Sequence, residues 1–76
     1  MYYIYILFSQ KDKRLYVGQT NDLKRRIDEH NKGMVISTRN RRPLELIHEE
    51  DFVARCEAMK REKFFKSLYG AKVKQK

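Results

Sequence analysis

From Tyr2 to Phe8 the chain alternates and is rich in aromatic and β-branched residues, and Leu15 to Gly18 repeats that character after the polar stretch Ser9 to Arg14. Two such runs with a short polar connection predict a hairpin, so the fold is built on antiparallel strands with two distinct faces. Setting Ile4 against Val17 and Ile6 against Leu15 gives both strands one apolar face; the same register places Tyr5 opposite Tyr16 and Tyr3 opposite Gly18. A slip of one residue buries the wrong side.

The rest of the chain divides at its turn and capping residues. Gln19-Thr20-Asn21-Asp22 offers capping side chains, and the run from about Leu23 to Asn31 predicts a helix of roughly three turns that closes before Gly33. Met34 to Arg42 reads as a loop, with room for a helical turn, whose Arg39, Arg41 and Arg42 form a basic cluster, and Pro43 forces extended geometry at Arg42. Leu44 to Glu49 contains a third strand, with Leu44, Leu46 and His48 on one face and Glu45, Ile47 and Glu49 on the other. A second helix runs from about Ala54 to Leu68, with Gly70 placed to end it and a short basic frayed end, Ala71 to Lys76, beyond. The expected fold is α+β: one domain, residues 1–76, with a three-stranded antiparallel sheet flanked by helices.

With 76 residues the core is small, so every polar group turned inward is a noticeable expense. The formal net charge of +8 and a pI near 9.8 favour a polyanionic partner. Nucleic acid fits better than an anionic membrane, because no helix is long, basic and strongly amphipathic. Tyr2 to Phe8 lacks a preceding basic segment and a following run of small residues, so it is read as neither a signal peptide nor a membrane span. Cys56 is the only cysteine, which excludes an internal disulfide framework and a cysteine-rich zinc site and suits a reducing compartment, the cytoplasm.

Two inward stripes carry charge. Leu23, Arg26, Ile27 and His30 share one face of the first helix, and Ala58, Glu62, Phe65 and Tyr69 one face of the second, while Glu57 points elsewhere. Each charged residue has a structural reading: Tyr5 and Tyr16 as an aromatic pair worth ~0.5–1 kcal/mol, Arg26 lying along the stripe's edge, His30 hydrogen-bonded in the core, Glu62 paired with Arg26. Against it stands the convergence of Arg26 and His30 on one spot, which suits an anionic ligand better than a core. A phenol beside a phosphodiester could accept a water proton, but with an ordinary pKa of about 10 it needs positive charge nearby, from Arg26 or a metal. His48 matches no motif.

Tyr3-Ile4-Tyr5, Tyr16-Val17-Gly18, Arg26 and His30 four apart on a helix, and Glu62 on a later helix together resemble the GIY-YIG nuclease superfamily. The resemblance covers nearly the whole chain, and Thr20-Asn21-Asp22-Leu23, Arg42-Pro43 and Glu57-Ala58 look most like its small standalone bacterial members. It implies metal-dependent hydrolysis of phosphodiesters in nucleic acid, DNA ahead of RNA. Tyr5 is then the general base, Tyr16 orders the water or the phosphate, and Arg26 stabilises charge on the phosphate oxygens. His30 positions or polarises the phosphate, with proton donation to the leaving oxygen as a further option. Glu62 is the sole protein ligand of one Mg²⁺ or Mn²⁺ ion. Apart from the resemblance, Arg39, Arg41, Arg42 and the tail lysines, Lys72, Lys74 and Lys76, read as drawing in the backbone, against a merely solvated basic turn, and Arg25 as a phosphate contact or a solvated side chain; the absence of a base-reading element implies low sequence preference. The chain departs from the family pattern in two places: Tyr3 stands where the first motif usually has glycine, and no asparagine follows Glu62 in Ser67-Leu68-Tyr69-Gly70. The second departure keeps open a nucleic-acid-binding module that does not cut, and a protein-interaction domain whose basic surface serves only solubility is a third reading.

Overall fold

The computed structural model describes the backbone of residues 1–74 and the side chains of residues 1–68. Three strands, β1 (Tyr2–Ser9), β2 (Leu15–Thr20) and β3 (Leu44–Phe52), form an antiparallel sheet in the order β2-β1-β3. Helix α1 (Leu23–Asn31) follows β2, a 3₁₀ turn (Arg39–Arg41) precedes β3, and α2 (Arg55–Lys74) closes the chain. The fold is the expected α+β arrangement.

Because β1 is central, residues on both of its faces are covered: Ile4, Tyr5, Ile6 and Leu7 are all buried. Ile4, Ile6 and Val17 pack with Ala58 and Phe65 of α2, joined by Tyr2, Leu15 and Phe52. On the opposite face Tyr5, Leu7 and Leu44 pack with Tyr16, Leu46 and the Leu23 and Ile27 side chains of α1. The sheet therefore lies between its two helices, with the tyrosine pair on the α1 side.

The hairpin register differs from the expected one by two residues. Ile6 faces Val17, Phe8 faces Leu15, and Tyr5 faces Gly18 instead of Tyr16. A two-residue slip keeps every side chain on its own face, so alternation alone cannot distinguish the two registers. Space does: a Cβ on Gly18 would lie 2.4 Å from Tyr5 Cζ and Oη, so the phenol ring occupies the room that glycine leaves. The turn agrees, since the Ser9 hydroxyl accepts the N–H groups of Lys11 and Asp12 at 3.2 and 3.1 Å and the strands run on to Ser9 and Leu15.

The third strand is longer than expected and changes face within itself. Ile6 pairs with His48 while Leu7 pairs with Leu46, so Ile47 is an extra residue, half exposed at a β-bulge. Leu44 and Leu46 face α1, whereas His48 stacks edge-on against Phe65 of α2 at 5.8 Å. The expectation that His48 shares their face fails because the bulge adds one residue to a period of two. Glu50, turned the same way, takes a bidentate bond from Arg61 of α2 at 2.8 and 3.1 Å.

The ends of α1 are legible in the sequence, and the end of α2 is not. Asp22 caps α1 by accepting the Arg25 N–H at 3.2 Å. At its other end Gly33, at φ +79°, donates to His30 and Met34 donates to Glu29, the paired bonds of a Schellman cap. Helix α2 instead runs through Gly70, because one interior glycine costs a helix only about 1 kcal/mol and good helix formers follow it. The stripe position Tyr69 and the tail lysines Lys72, Lys74 and Lys76 lie outside the described side chains.

Replacing Gly33 by alanine puts a Cβ into the left-handed region and against the Arg42 guanidinium. We expect a loss of about 1 kcal/mol, or roughly 4–8 °C in Tm for a chain of this size, measured by circular dichroism. An unchanged melt would show that the cap does not hold α1.

Candidate active site

Tyr5 reaches the α1 side of the sheet from the central strand, and α1 ends over it. The Tyr5 hydroxyl lies 2.9 Å from His30 Nε2, and His30 Nδ1 lies 2.7 Å from Thr38 Oγ1. All three residues are at most 1 % exposed, so both imidazole nitrogens are taken by protein groups. Tyr16, diagonal to Tyr5 across the hairpin, completes an aromatic cluster, its ring 6.4 Å from that of Tyr5 and 5.1 Å from that of His30. Tyr16 is half-buried and reaches the surface.

Arg26, one turn before His30, lies at the edge of this cluster. Its Nη1 donates to Glu29 Oε1 at 3.0 Å, and its guanidinium faces the Tyr5 hydroxyl closely enough to favour ionisation there. Burial outweighs that help: it pushes the Tyr5 hydroxyl up to about 12, with Tyr16 and Glu62 adding to the rise. Burial likewise depresses the His30 imidazole to about 4, reinforced by the Arg26 charge and opposed by Glu29. At neutral pH the pair is a neutral phenol against a neutral imidazole. Arg25 is exposed, with loose contacts to Asp22 and Glu29 at 4.0 and 3.9 Å.

Glu62 comes to the site from the other layer. Helix α2 lies chiefly over β2, the edge strand that carries Tyr16, and the Glu62 carboxylate is near enough to Tyr5 to oppose its ionisation. Its ion pair is with Lys66, at 3.0 Å, and the structural reading that pairs it with Arg26 does not hold. Among the described residues no three His, Cys, Asp or Glu side chains gather as a metal cluster. A lone half-buried carboxylate fits a hard divalent ion whose remaining ligands are water and substrate oxygens, as is usual for Mg²⁺.

The loop arginines separate into two kinds. Arg41 is tied down: its Nε donates to Asp12 at 2.6 Å and its Nη2 to the Leu15 carbonyl at 3.4 Å, while its own carbonyl accepts the buried Ser9 hydroxyl at 2.6 Å. Against the effect of burial, Arg41 together with the Arg14 N–H and the Ser9 hydroxyl holds the Asp12 carboxyl down to about 2. Arg39 and Arg42 are exposed, and among the described residues Arg42 is anchored through its Nε to the Arg39 carbonyl. Sequence reading missed Thr38, Glu29 and Ser9. Thr38 and Ser9 carry no periodicity or motif, and only the folded loop brings them to their partners.

The chain belongs to the GIY-YIG family: the family model described as the GIY-YIG catalytic domain matches residues 1–76. This makes it a nuclease-type domain, of a family that generally uses divalent metal ions and acts on nucleic acid. Within the family it is similar to small proteins named UPF0213. It is 44% identical over 72 residues to the UPF0213 protein of Natronomonas pharaonis, covering 93% of this chain and 84% of that protein. It is 43% identical over 75 residues to a UPF0213 protein of Bacillus velezensis, covering 97% and 75%, and 48% identical over 59 residues to YazA of Bacillus subtilis, covering 76% and 60%. No solved structure matches the chain. No helix among the described residues is long and apolar enough to cross a membrane.

The depressed His30 makes stability pH-dependent with a definite sign. Between its ordinary value near 6.5 and about 4 the unfolded chain binds a proton that the folded chain does not, so stability rises with pH across that window. The contribution is complete above 6.5 and is lost towards 4, up to ~3 kcal/mol. Thermal melts from pH 7.5 to 4 should show a steeper acid decline for the wild type than for His30→Gln, which does not titrate. Parallel curves would assign the decline to other groups.

Proposed function

We propose that the chain is a divalent-metal-dependent endonuclease that hydrolyses phosphodiester bonds, in DNA ahead of RNA, with little sequence preference. The observation that carries this reading is the convergence of Arg26, Tyr16 and the field of Glu62 on the Tyr5 hydroxyl, itself held by His30. Tyr5 accepts the proton of the attacking water. A phenol with so high a pKa is a strong base once ionised, and Arg26 favours that ionised form. When bound at Glu62, Mg²⁺ or Mn²⁺ supplies the charge that neutralises phosphate and leaving-group oxygens and favours ionised groups nearby.

Arg26 turns its fork from Glu29 to a non-bridging phosphate oxygen, where charge builds in the transition state. Tyr16, half-exposed, orders the water or the phosphate. With both nitrogens engaged, His30 acts by orienting Tyr5; phosphate contact and proton donation to the leaving oxygen, the roles implied by resemblance, have no free nitrogen to serve them. Arg25, Arg39 and Arg42 contact the backbone, and Arg41 braces the loop. A second reading, a nucleic-acid-binding module that does not cut, is favoured by the burial of Tyr5 at 1 % exposure. Turnover of DNA and RNA substrates with Mg²⁺ or Mn²⁺ separates the two.

Glu62→Gln is nearly isosteric and removes the charge that holds the ion, so metal-dependent cleavage should fall by roughly a hundredfold or more while metal-free nucleic-acid affinity stays within about twofold. Cleavage at the wild-type rate would remove Glu62 from the metal site.

Binding should weaken steeply with salt, since each neutralised phosphate releases counterions. Replacing Arg39 and Arg42 together should flatten the slope of log affinity against log salt by roughly two units on a duplex, whereas Arg41→Ala should leave the slope alone and lower Tm. Equal slopes for the double variant and the wild type would take this loop off the binding surface.

A further inference from the structure

We propose that Thr38 is a positioning residue: its hydroxyl donates to His30 Nδ1 and so fixes the imidazole in the tautomer that carries its proton on Nε2, aimed at the Tyr5 oxygen. The catalytic consequence rests on the nuclease reading above. The hydrogen-bond assignment does not.

Thr38 is fully buried, and among the described residues His30 is the one hydrogen-bond partner of its Oγ1, at 2.7 Å. A hydroxyl has one proton and two lone pairs, and a buried proton without an acceptor is less tolerable than a spare lone pair. If Nδ1 carried the proton, it would donate to Thr38, and the threonine proton would have nowhere to go. Thr38 therefore donates, Nδ1 accepts, and in a neutral ring Nε2 carries the hydrogen that points at Tyr5. Since Nε2–H and the Arg26 guanidinium are both donors, the Tyr5 proton then turns to the side of the half-exposed Tyr16, an exit that the fully buried Thr38 lacks. The Tyr5 oxygen then faces two donors, Nε2–H and the Arg26 guanidinium, which both favour the phenolate. The opposite arrangement has Tyr5 donate to Nε2 and leaves the proton of the fully buried Thr38 without an acceptor.

The loop that brings Thr38 to this place is held from both ends. The Thr38 N–H donates to the Val35 carbonyl at 3.1 Å, with Val35 buried, and the Thr38 carbonyl accepts the Arg41 N–H at 2.9 Å. Arg41 in turn is bound to the β1–β2 turn through Asp12 and Ser9. The ion pair that withdraws Arg41 from the basic surface thus serves to hold the turn that orients His30.

The test uses the intact chain with ¹⁵N-labelled histidine, together with Thr38→Val, which keeps shape and loses the hydroxyl, and Thr38→Ser, which keeps the hydroxyl. Nitrogen chemical shifts of the wild type and Thr38→Ser should show His30 protonated on Nε2, with Nδ1 an unprotonated, hydrogen-bonded nitrogen; in Thr38→Val the Nδ1 signal should move to that of a nitrogen without a donor. Cleavage of a duplex with Mg²⁺ should show kcat reduced roughly tenfold or more in Thr38→Val at nearly unchanged KM, and restored in Thr38→Ser. A wild-type proton on Nδ1, or a Thr38→Val variant with lowered Tm and wild-type kcat, would overturn the proposal. If the wild type does not cleave, the nuclease reading fails, and the nitrogen shifts of wild type and Thr38→Ser still decide the tautomer even if Thr38→Val does not fold.

Discussion

The Tyr5 ring lies across Gly18 in the centre of the sheet, and the arrangement of the α1 face follows from that contact. With no Cβ at Gly18, the phenol can lie flat enough for its hydroxyl to meet the last turn of α1, where His30 is buried against it at 2.9 Å. His30 can be buried there only as a neutral ring with both nitrogens bonded, which requires Thr38, and Thr38 requires a loop pinned to the hairpin through Arg41, Asp12 and Ser9. No buried side-chain nitrogen or oxygen among the described residues is left without a partner. In a chain with so small a core, such a polar chain is tolerable only when it is complete.

The same logic explains why the two layers have different characters. The α2 face holds mostly apolar groups, and a polar cluster on it is closed on itself: Glu50 bonds Arg61 and His48, and Arg61 lies over the rings of Phe64 and Phe65 at 4.9 and 4.5 Å. The α1 face keeps its cations incompletely neutralised at the rim, with Arg26 sharing one glutamate and Arg39 and Arg42 open to solvent. Strand β3, the edge strand opposite β2, carries Glu45, Glu49, Glu50 and Asp51.

Much of the site was readable before folding was considered. The stripe Leu23, Arg26, Ile27, His30 puts three of its members half-buried and His30 fully buried, because helical spacing survives any tertiary context that covers one face. Asp22 and Gly33 mark the ends of α1 for equally local reasons. The loop arginines were not readable in the same way. Arg39, Arg41 and Arg42 look equivalent as letters, yet Asp12, far away in sequence, captures only the middle one.

By itself the sequence determined what depends on near neighbours and on periodicity: the hairpin, the two helices, the faces of β1 and β2, the caps of α1 though not the end of α2, and the motif residues by which the family is recognised. Tertiary structure alone decided the quantities that involve a choice between equal local options. Two hairpin registers bury the same faces, and the fit of Tyr5 over Gly18, with the turn built on Ser9, selects one. A bulge at Ile47 reverses the second half of β3 and sends His48 to α2, which no alternation pattern foretells. Thr38 becomes the partner of His30 because a loop folds back, and a hydroxyl's role is set by the group it meets and not by its place in the chain.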